Sequence, residues 1–437
     1  MAGVGLKLRR EQINPHKENN SRIPQILAIY LFPLSFALIA IGWFCFLVSF
    51  ESERLKSVAE ALPLLIWTFL MATFWNQVFA YAFQREISER IFLKQMEGLT
   101  GLFYSRVLIY LGLASLSYTG VLLCFSLPYT WIFLAILLLN SLLFLNYLLS
   151  FYFLLGAYRI FTSMFLFSFP LIFLLGALFP KEGSSFLLYV FVLYSALTLY
   201  GVWFLPLEHW KRDEWDIRSQ LPLIEIGCHL GMAFILPFVA SWWSDQAVIL
   251  HGGLSLAPSF DLPATLAYLP TLASMMFLHL AQDRRVDAVR KAYFQALSGG
   301  ASWREMKRRE SDLRRGIWVE VVKIEWVQGL WSLGAGILFF FLGIGLEGMF
   351  LLLAYWAWGM GRVYMQVLFG VGDDAGVRRW ARFYGICVCL TVGLSYCINA
   401  RLIPLAFMVS SLFYARSIRH RLKEYLLHLT YYVLSPD

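Results

Sequence analysis

The sequence predicts an all-α, polytopic membrane protein of about twelve transmembrane helices arranged as two six-helix bundles. Three observations carry that expectation. Hydrophobic residues form 59% of the 437-residue chain against 15% charged, with mean hydropathy +0.64. That leaves too little polar surface for a soluble fold, so lipid must solvate much of the chain. The apolar residues also fall in blocks near the ~20 residues a helix needs to cross a hydrocarbon core of about 30 Å. Finally, the basic residues alternate between the two sides those blocks define.

The blocks read, in order, as spans near 26–50, 58–81, 107–126, 130–150, 160–179 and 186–206, then 222–243, 263–281, 327–346, 348–369, 383–400 and 402–417. Residues 107–158 contain no Asp, Glu, Lys, Arg or His; the stretch is too long for one crossing and suits two, hinged at Ser126-Leu127-Pro128. With a cytoplasmic N-terminus, 32 of the 36 Lys and Arg fall on the inside, and only Arg54, Lys56, Lys181 and Arg401 fall outside. This positive-inside bias orients both termini to the cytoplasm. It also accounts for the net charge of +8 through anionic headgroups, without a nucleic-acid partner. No small-residue cleavage site follows the first apolar run, so no cleavable signal peptide is expected. The expected location is the cytoplasmic membrane of a bacterium.

The charged connection Glu208-His209-Trp210-Lys211-Arg212-Asp213-Glu214-Trp215-Asp216 divides the chain into halves of about six spans. The expected organisation is a cytoplasmic segment 1–24, a first bundle 25–206, a linker 207–221, a second bundle 222–417 and a tail 418–437. Two such bundles with a path between them is a recurring transporter layout. Within the second bundle, 282–316 reads as a cytoplasmic helical hairpin at the membrane surface. Residues 283–297 form an amphipathic helix, Ser298-Gly299-Gly300 breaks it, and Ser302 with Glu305 fits a capping box that starts the next helix, which is expected to continue into the ninth span. Its basic residues Arg304, Arg308, Arg309, Arg314 and Arg315 suit headgroup contact or the docking of a cytoplasmic partner.

No motif points to enzyme chemistry. Gly343-Ile344-Gly345-Leu346-Glu347-Gly348 matches GxGxxG, but it lies at a turn between two apolar helices, with no βαβ unit around it. Walker A, HExxH and nucleophile-elbow patterns are missing, so uphill movement would draw on an ion gradient or on substrate polymerisation. The six cysteines sit in or at the ends of apolar spans with no zinc spacing. Neither a cofactor nor a metal is expected.

Polar residues inside spans are costly in lipid and mark candidate sites. Asn76 and Gln77 lie beside Trp75 near mid-membrane. Glu225 and His229 are four residues apart, on one helix face, and Gly227 and Gly231 form a GxxxG that lets another helix approach. Glu225 either reaches water at the cytoplasmic end or forms a coupling pair with His229. Arg362 either snorkels to headgroups or lines a cavity, and Arg159 is either a loop anchor or a pathway residue.

The opening Met1-Ala2-Gly3-Val4-Gly5-Leu6-Lys7-Leu8-Arg9 resembles the N-terminal signature of PelG proteins, the membrane transporters of Pel exopolysaccharide systems. Phe260-Asp261-Leu262-Pro263, Leu269-Pro270-Thr271-Leu272 and the segment from Ala292 to Ser302 resemble them too. The polar insertion between Glu11 and Ser21 departs from that family's smoother entry into the membrane. The resemblance implies a MATE/flippase-like fold and export of a galactosamine-rich glycan, in concert with a cytoplasmic glycosyltransferase. A lipid-linked oligosaccharide flippase, a membrane-embedded transferase and a non-transporting scaffold are the alternatives. It carries over no functional residues, so the candidate sites rest on intramembrane polarity.

Overall fold

The computed structural model describes residues 52–92, 98–125, 127–155, 157–178, 183–205, 217–244, 264, 267–268, 287–341 and 343–430. The expected span at 26–50, most of that at 263–281, the segment 1–24, and residues 207–216 and 431–437 lie outside them. Among the described residues the secondary structure is helical: α1 Ser52–Phe92, α2 Leu99–Leu122, α3 Tyr129–Leu154, α4 Tyr158–Leu178, α5 Gly183–Val202, α6 Ile217–Ser244, α7 Asp287–Ser298, α8 Trp303–Phe341, α9 Leu346–Val371, α10 Asp374–Ile398 and α11 Ile403–Leu427. A 3₁₀ turn, Ala400–Leu402, leads into α11. Among the described residues, seven helices (α1, α2, α3, α5, α6, α8 and α10) contain stretches long and apolar enough to cross a membrane. The protein is a multi-pass membrane protein.

The chain forms two compact units, Met1–Gly231 with Gln246–Ser255, and Met232–Asp245 with Leu256–Asp437. In the first, α1 packs on α2, α3 and α5, and α3 packs on α2 and α5. In the second, α9 and α11 form the central pair, with α10 against α11 and α8 against α7 and α9. Tyrosines dominate the largest fully buried side chains, among them Tyr110, Tyr118, Tyr147, Tyr189, Tyr355 and Tyr384. Their hydroxyls bridge helices: Tyr118 with Thr68 at 3.0 Å, Tyr152 donating to the Gly201 carbonyl at 2.7 Å, and Tyr384 with Ser411 at 2.9 Å. Lipid is as apolar as leucine, so such pairs and close packing hold helices together where hydrophobic burial cannot.

Local chemistry sets the helix ends. Gly343, at φ 67°, makes the turn between α8 and α9. Gly372, at φ 98°, ends α9, and the Asp373 carboxylate then accepts from the Gly376 N–H at 3.1 Å to cap α10. Ser302 accepts from the Glu305 N–H at 3.3 Å. The reciprocal half of the expected capping box is replaced, because the Glu305 carboxylate takes Arg309 at 2.8 Å.

The second helix of the hairpin runs without a break into the ninth span, as the sequence led us to expect, 39 residues in all. At 1.5 Å per residue that is roughly 58 Å of rod, against a hydrocarbon core of about 30 Å. The first half is exposed at Arg304, Lys307, Arg308, Asp312 and Arg315. The second half exposes Trp326, Leu330, Trp331, Leu333, Ile337 and Phe340. The charged and apolar halves therefore share one helix axis, longer than a hydrocarbon core is thick.

Candidate functional site

Four of the expected site residues come together in the first unit. A Cβ built at Gly227 would fall on the Val78 and Gln77 carbonyls, and one at Gly231 on the Phe74 ring. The GxxxG of α6 therefore seats α1 backbone to backbone at Phe74–Val78. Asn76 and Gln77 on α1 share this crossing with Glu225 and His229 on α6. The Glu225 Oε1 and His229 Nε2 stand 3.8 Å apart, each side chain about 30% exposed (31% and 29%). Trp75 Nε1, Asn76 Oδ1 and Gln77 Oε1 are buried with no hydrogen-bond partner among the described residues, three unmatched polar atoms in three consecutive residues. An aromatic run continues from them. Trp75 stacks on Phe79 at 5.4 Å, Phe79 on Tyr110 at 4.2 Å, and Tyr110 lies 5.6 Å from Tyr147.

Arg362 belongs to the second unit. Its guanidinium lies 4.8 Å over the Trp358 ring, a cation–π contact available because the two are one turn apart on α9. Trp358 packs with Tyr268 at 5.9 Å and Phe234 at 5.6 Å. Trp358 Nε1, Arg362 Nε and Gln366 Oε1 are buried and unmatched among the described residues. They recur every four residues, so two donors and one acceptor form a stripe along one face of α9. On the α8–α9 contact, Gln328 donates to the Trp356 carbonyl at 2.9 Å while its own Oε1 stays unmatched. Leaving such atoms buried without partners costs about 1–3 kcal/mol each. Arg159 lies in the first turn of α4, with its side chain outside the described residues.

Three ionic clusters escaped the sequence reading. Arg106, 3% exposed, makes a two-pronged pair with Glu86 (2.7–3.1 Å), and Gln220 donates to the same carboxylate at 2.6 Å. This ties α1, α2 and α6 at one level. In the second unit, Glu325 on α8 accepts from Tyr364 at 2.7 Å and from Arg419 at 3.0 and 3.2 Å, joining α9 and α11. Asp373 binds Arg421 at 2.8 and 3.0 Å. Arg106 and Arg419 had counted only as inside-loop charges. An acid 20 or more residues away gives no periodic signal, so only contact reveals the pairing.

The hairpin is anchored by a buried carboxylate. Glu310 accepts from the Thr430 hydroxyl at 3.0 Å and from Lys307 at 2.7 Å, and Tyr293 on α7 donates to Thr430 at 3.3 Å. Burial pushes the Tyr293 phenol above its ordinary range, so it remains a donor at neutral pH. Of the five arginines expected to dock a partner, Arg309 is tied to Glu305. Arg304, Arg308, Arg314 and Arg315 make no ion pair among the described residues.

The family model for PelG, described as "Putative exopolysaccharide Exporter (EPS-E)", matches residues 1–434. No individually curated protein matches the chain. Among solved structures, an outward-facing multidrug resistance MATE family transporter of the MOP superfamily is similar, with TM-score 0.55, 13% identity, and coverage of 93% of this chain and 94% of that one. The eukaryotic MATE transporter AtDTX14 is similar at TM-score 0.51 and 14% identity, covering 91% of this chain and 97% of that one. At such identities the likeness is one of fold.

Proposed function

Since the chain belongs to the PelG family of exopolysaccharide exporters, we propose that it carries a Pel-like, galactosamine-rich glycan across the bacterial cytoplasmic membrane, as a transporter rather than an enzyme. The observation that carries this reading is the set of buried polar atoms unmatched among the described residues, three on consecutive residues of α1 (Trp75, Asn76 and Gln77) and three in a stripe along α9 (Trp358, Arg362 and Gln366). Amide and indole groups beside aromatic faces suit a chain of pyranose rings, whose hydroxyls donate and accept and whose C–H faces stack on rings. Lipid could satisfy none of these atoms.

Asn76, Gln77, Arg159, Glu225, His229 and Arg362 are assigned to the path or its coupling. The termini face the cytoplasm in this reading, in accord with the basic residues of the inside loops. A cytoplasmic glycosyltransferase supplies the glycan and docks through the α7–α8 hairpin, where Arg304, Arg308, Arg314 and Arg315 make no ion pair among the described residues. Deleting the gene in its host should abolish surface polysaccharide while the sugar-nucleotide pool stays intact. Unchanged secretion would sink the assignment.

A further inference from the structure

The outer side of the α10–α11 pair in the second unit is apolar along most of its length and turns basic at one end. Phe383 on α10 meets Phe413 on α11 with ring centroids 5.7 Å apart. Both rings are exposed, as are Ile386 and Leu390 further along α10 and Val409 and Leu412 on α11. One turn from the ring pair, toward the start of α10 and the end of α11, stand Arg379 and Arg416. Arg379 lies four residues before Phe383 and Arg416 three after Phe413, so each shares the face of its own ring. The helices run antiparallel, which brings both arginines to the same end of the pair. Trp380, with its ring 5.6 Å from Phe383, marks that level, as tryptophan does where hydrocarbon gives way to headgroups.

Charge selects the occupant. Arg379 and Arg416 are exposed and make no ion pair among the described residues. The neighbouring arginines of α11 do: Arg419 binds Glu325 and Arg421 binds Asp373. No acid of α10 or α11 stands beside the two unpaired guanidinia. Asp374 lies five residues before Arg379, and Glu424 lies eight beyond Arg416, 3.5 Å from His420. Arg382, exposed on the same side of α10, adds to the positive charge. A basic end that continues into an apolar lane is the complement of a phosphate carrying acyl chains. A zwitterionic headgroup brings its own ammonium to the arginines, so a net negative lipid fits better.

We propose that α10 and α11 hold an anionic phospholipid, with its phosphate between Arg379 and Arg416 and its acyl chains along Phe383, Ile386 and Phe413. The lipid is a structural ligand of the second unit. Among the described residues α10 packs chiefly on α11, through the stacked rings of Tyr384 and Tyr414 at 4.1 Å and the Tyr384–Ser411 hydrogen bond at 2.9 Å. A phosphate shared by one arginine from each helix ties the same two helices on their outer side, next to that stack. Arginine suits the task because its planar fork takes two phosphate oxygens at once. The inference does not depend on what the protein carries.

The test uses the full-length protein, purified in detergent, stripped of lipid and given back phosphatidylglycerol, phosphatidylcholine or inorganic phosphate. Native mass spectrometry reads the bound lipid, and a thermal melt reads its effect on the fold. Phosphatidylglycerol should stay bound and raise the melting temperature, whereas phosphatidylcholine and inorganic phosphate at the same concentration should do neither. Arg379→Gln with Arg416→Gln should weaken phosphatidylglycerol binding about thirtyfold, about fivefold for each arginine. The lipid-free melting temperature of that variant should be unchanged or higher, which shows that it folds. Arg308→Gln with Arg314→Gln removes the same charge from α8 and should leave the binding intact. Four results would each overturn the proposal: equal binding of phosphatidylcholine, an equal shift from inorganic phosphate, wild-type binding by the α10–α11 variant, or an equal loss in the α8 variant.

Discussion

Arg106 and Glu86 lie twenty residues apart and meet as a two-pronged ion pair, with the arginine side chain 4% and the carboxylate 18% exposed. Neither was marked by the sequence as anything beyond a basic and an acidic residue near a span end. In the fold they fix the level at which α2 meets α1, and Gln220 brings α6 to the same carboxylate.

Removing one member of that pair leaves the other buried and uncompensated. Arg106→Ala should destabilise the protein by about 3–5 kcal/mol, and replacing both Arg106 and Glu86 by leucine should cost less than the single change. Unfolding of the purified protein in detergent, followed by intrinsic fluorescence, measures both. A double variant no better than Arg106→Ala would contradict the account.

Two glycines on helices should respond oppositely to the same change. Gly227→Ala places a methyl on the Val78 and Gln77 carbonyls, so α1 and α6 must separate, at about 1–3 kcal/mol for overpacking. Gly316→Ala meets open space and should stabilise by up to about 1 kcal/mol. Melting temperatures of the two variants, measured side by side, decide the matter.

Arg362 is the sharpest check on the path. Stacked on Trp358 with its Nε unmatched among the described residues, it should support export, so Arg362→Ala should reduce secretion without lowering membrane abundance. Arg362→Lys keeps the charge but loses the planar stack and should fall between the two. Near-silent results for both would reduce Arg362 to a headgroup anchor.

The hairpin anchor gives a fourth expectation. Glu310→Ala strands the buried Thr430 hydroxyl, a loss of about 1–3 kcal/mol. Amide exchange over residues 287–316 should accelerate in this variant, while α1 to α5 stay protected. Uniform acceleration across both units would mean the anchor is not local.

The sequence made the helices legible because their signals are local. The break at Ser126-Leu127-Pro128 falls between α2 and α3, the break at Ser298-Gly299-Gly300 falls between α7 and α8, and Ser302 caps α8. The GxxxG of Gly227 and Gly231 also read correctly, since small residues four apart line one face whatever helix they meet. The run of the hairpin's second helix into the ninth span also read correctly, as the 39 unbroken residues of α8. No proline interrupts the passage from its charged half to its apolar half, so the helix carries through.

By itself, then, the sequence determined the length, order and polarity of the helices, because hydropathy and helix capping act over a few neighbouring residues. Only the tertiary structure decided that Glu86 receives Arg106 and Gln220, that Arg362 lies on Trp358, and that Gly227 is crowded while Gly316 is open. Those facts depend on which faces meet across tens of residues, and two identical glycines carry no mark of the neighbour each will have.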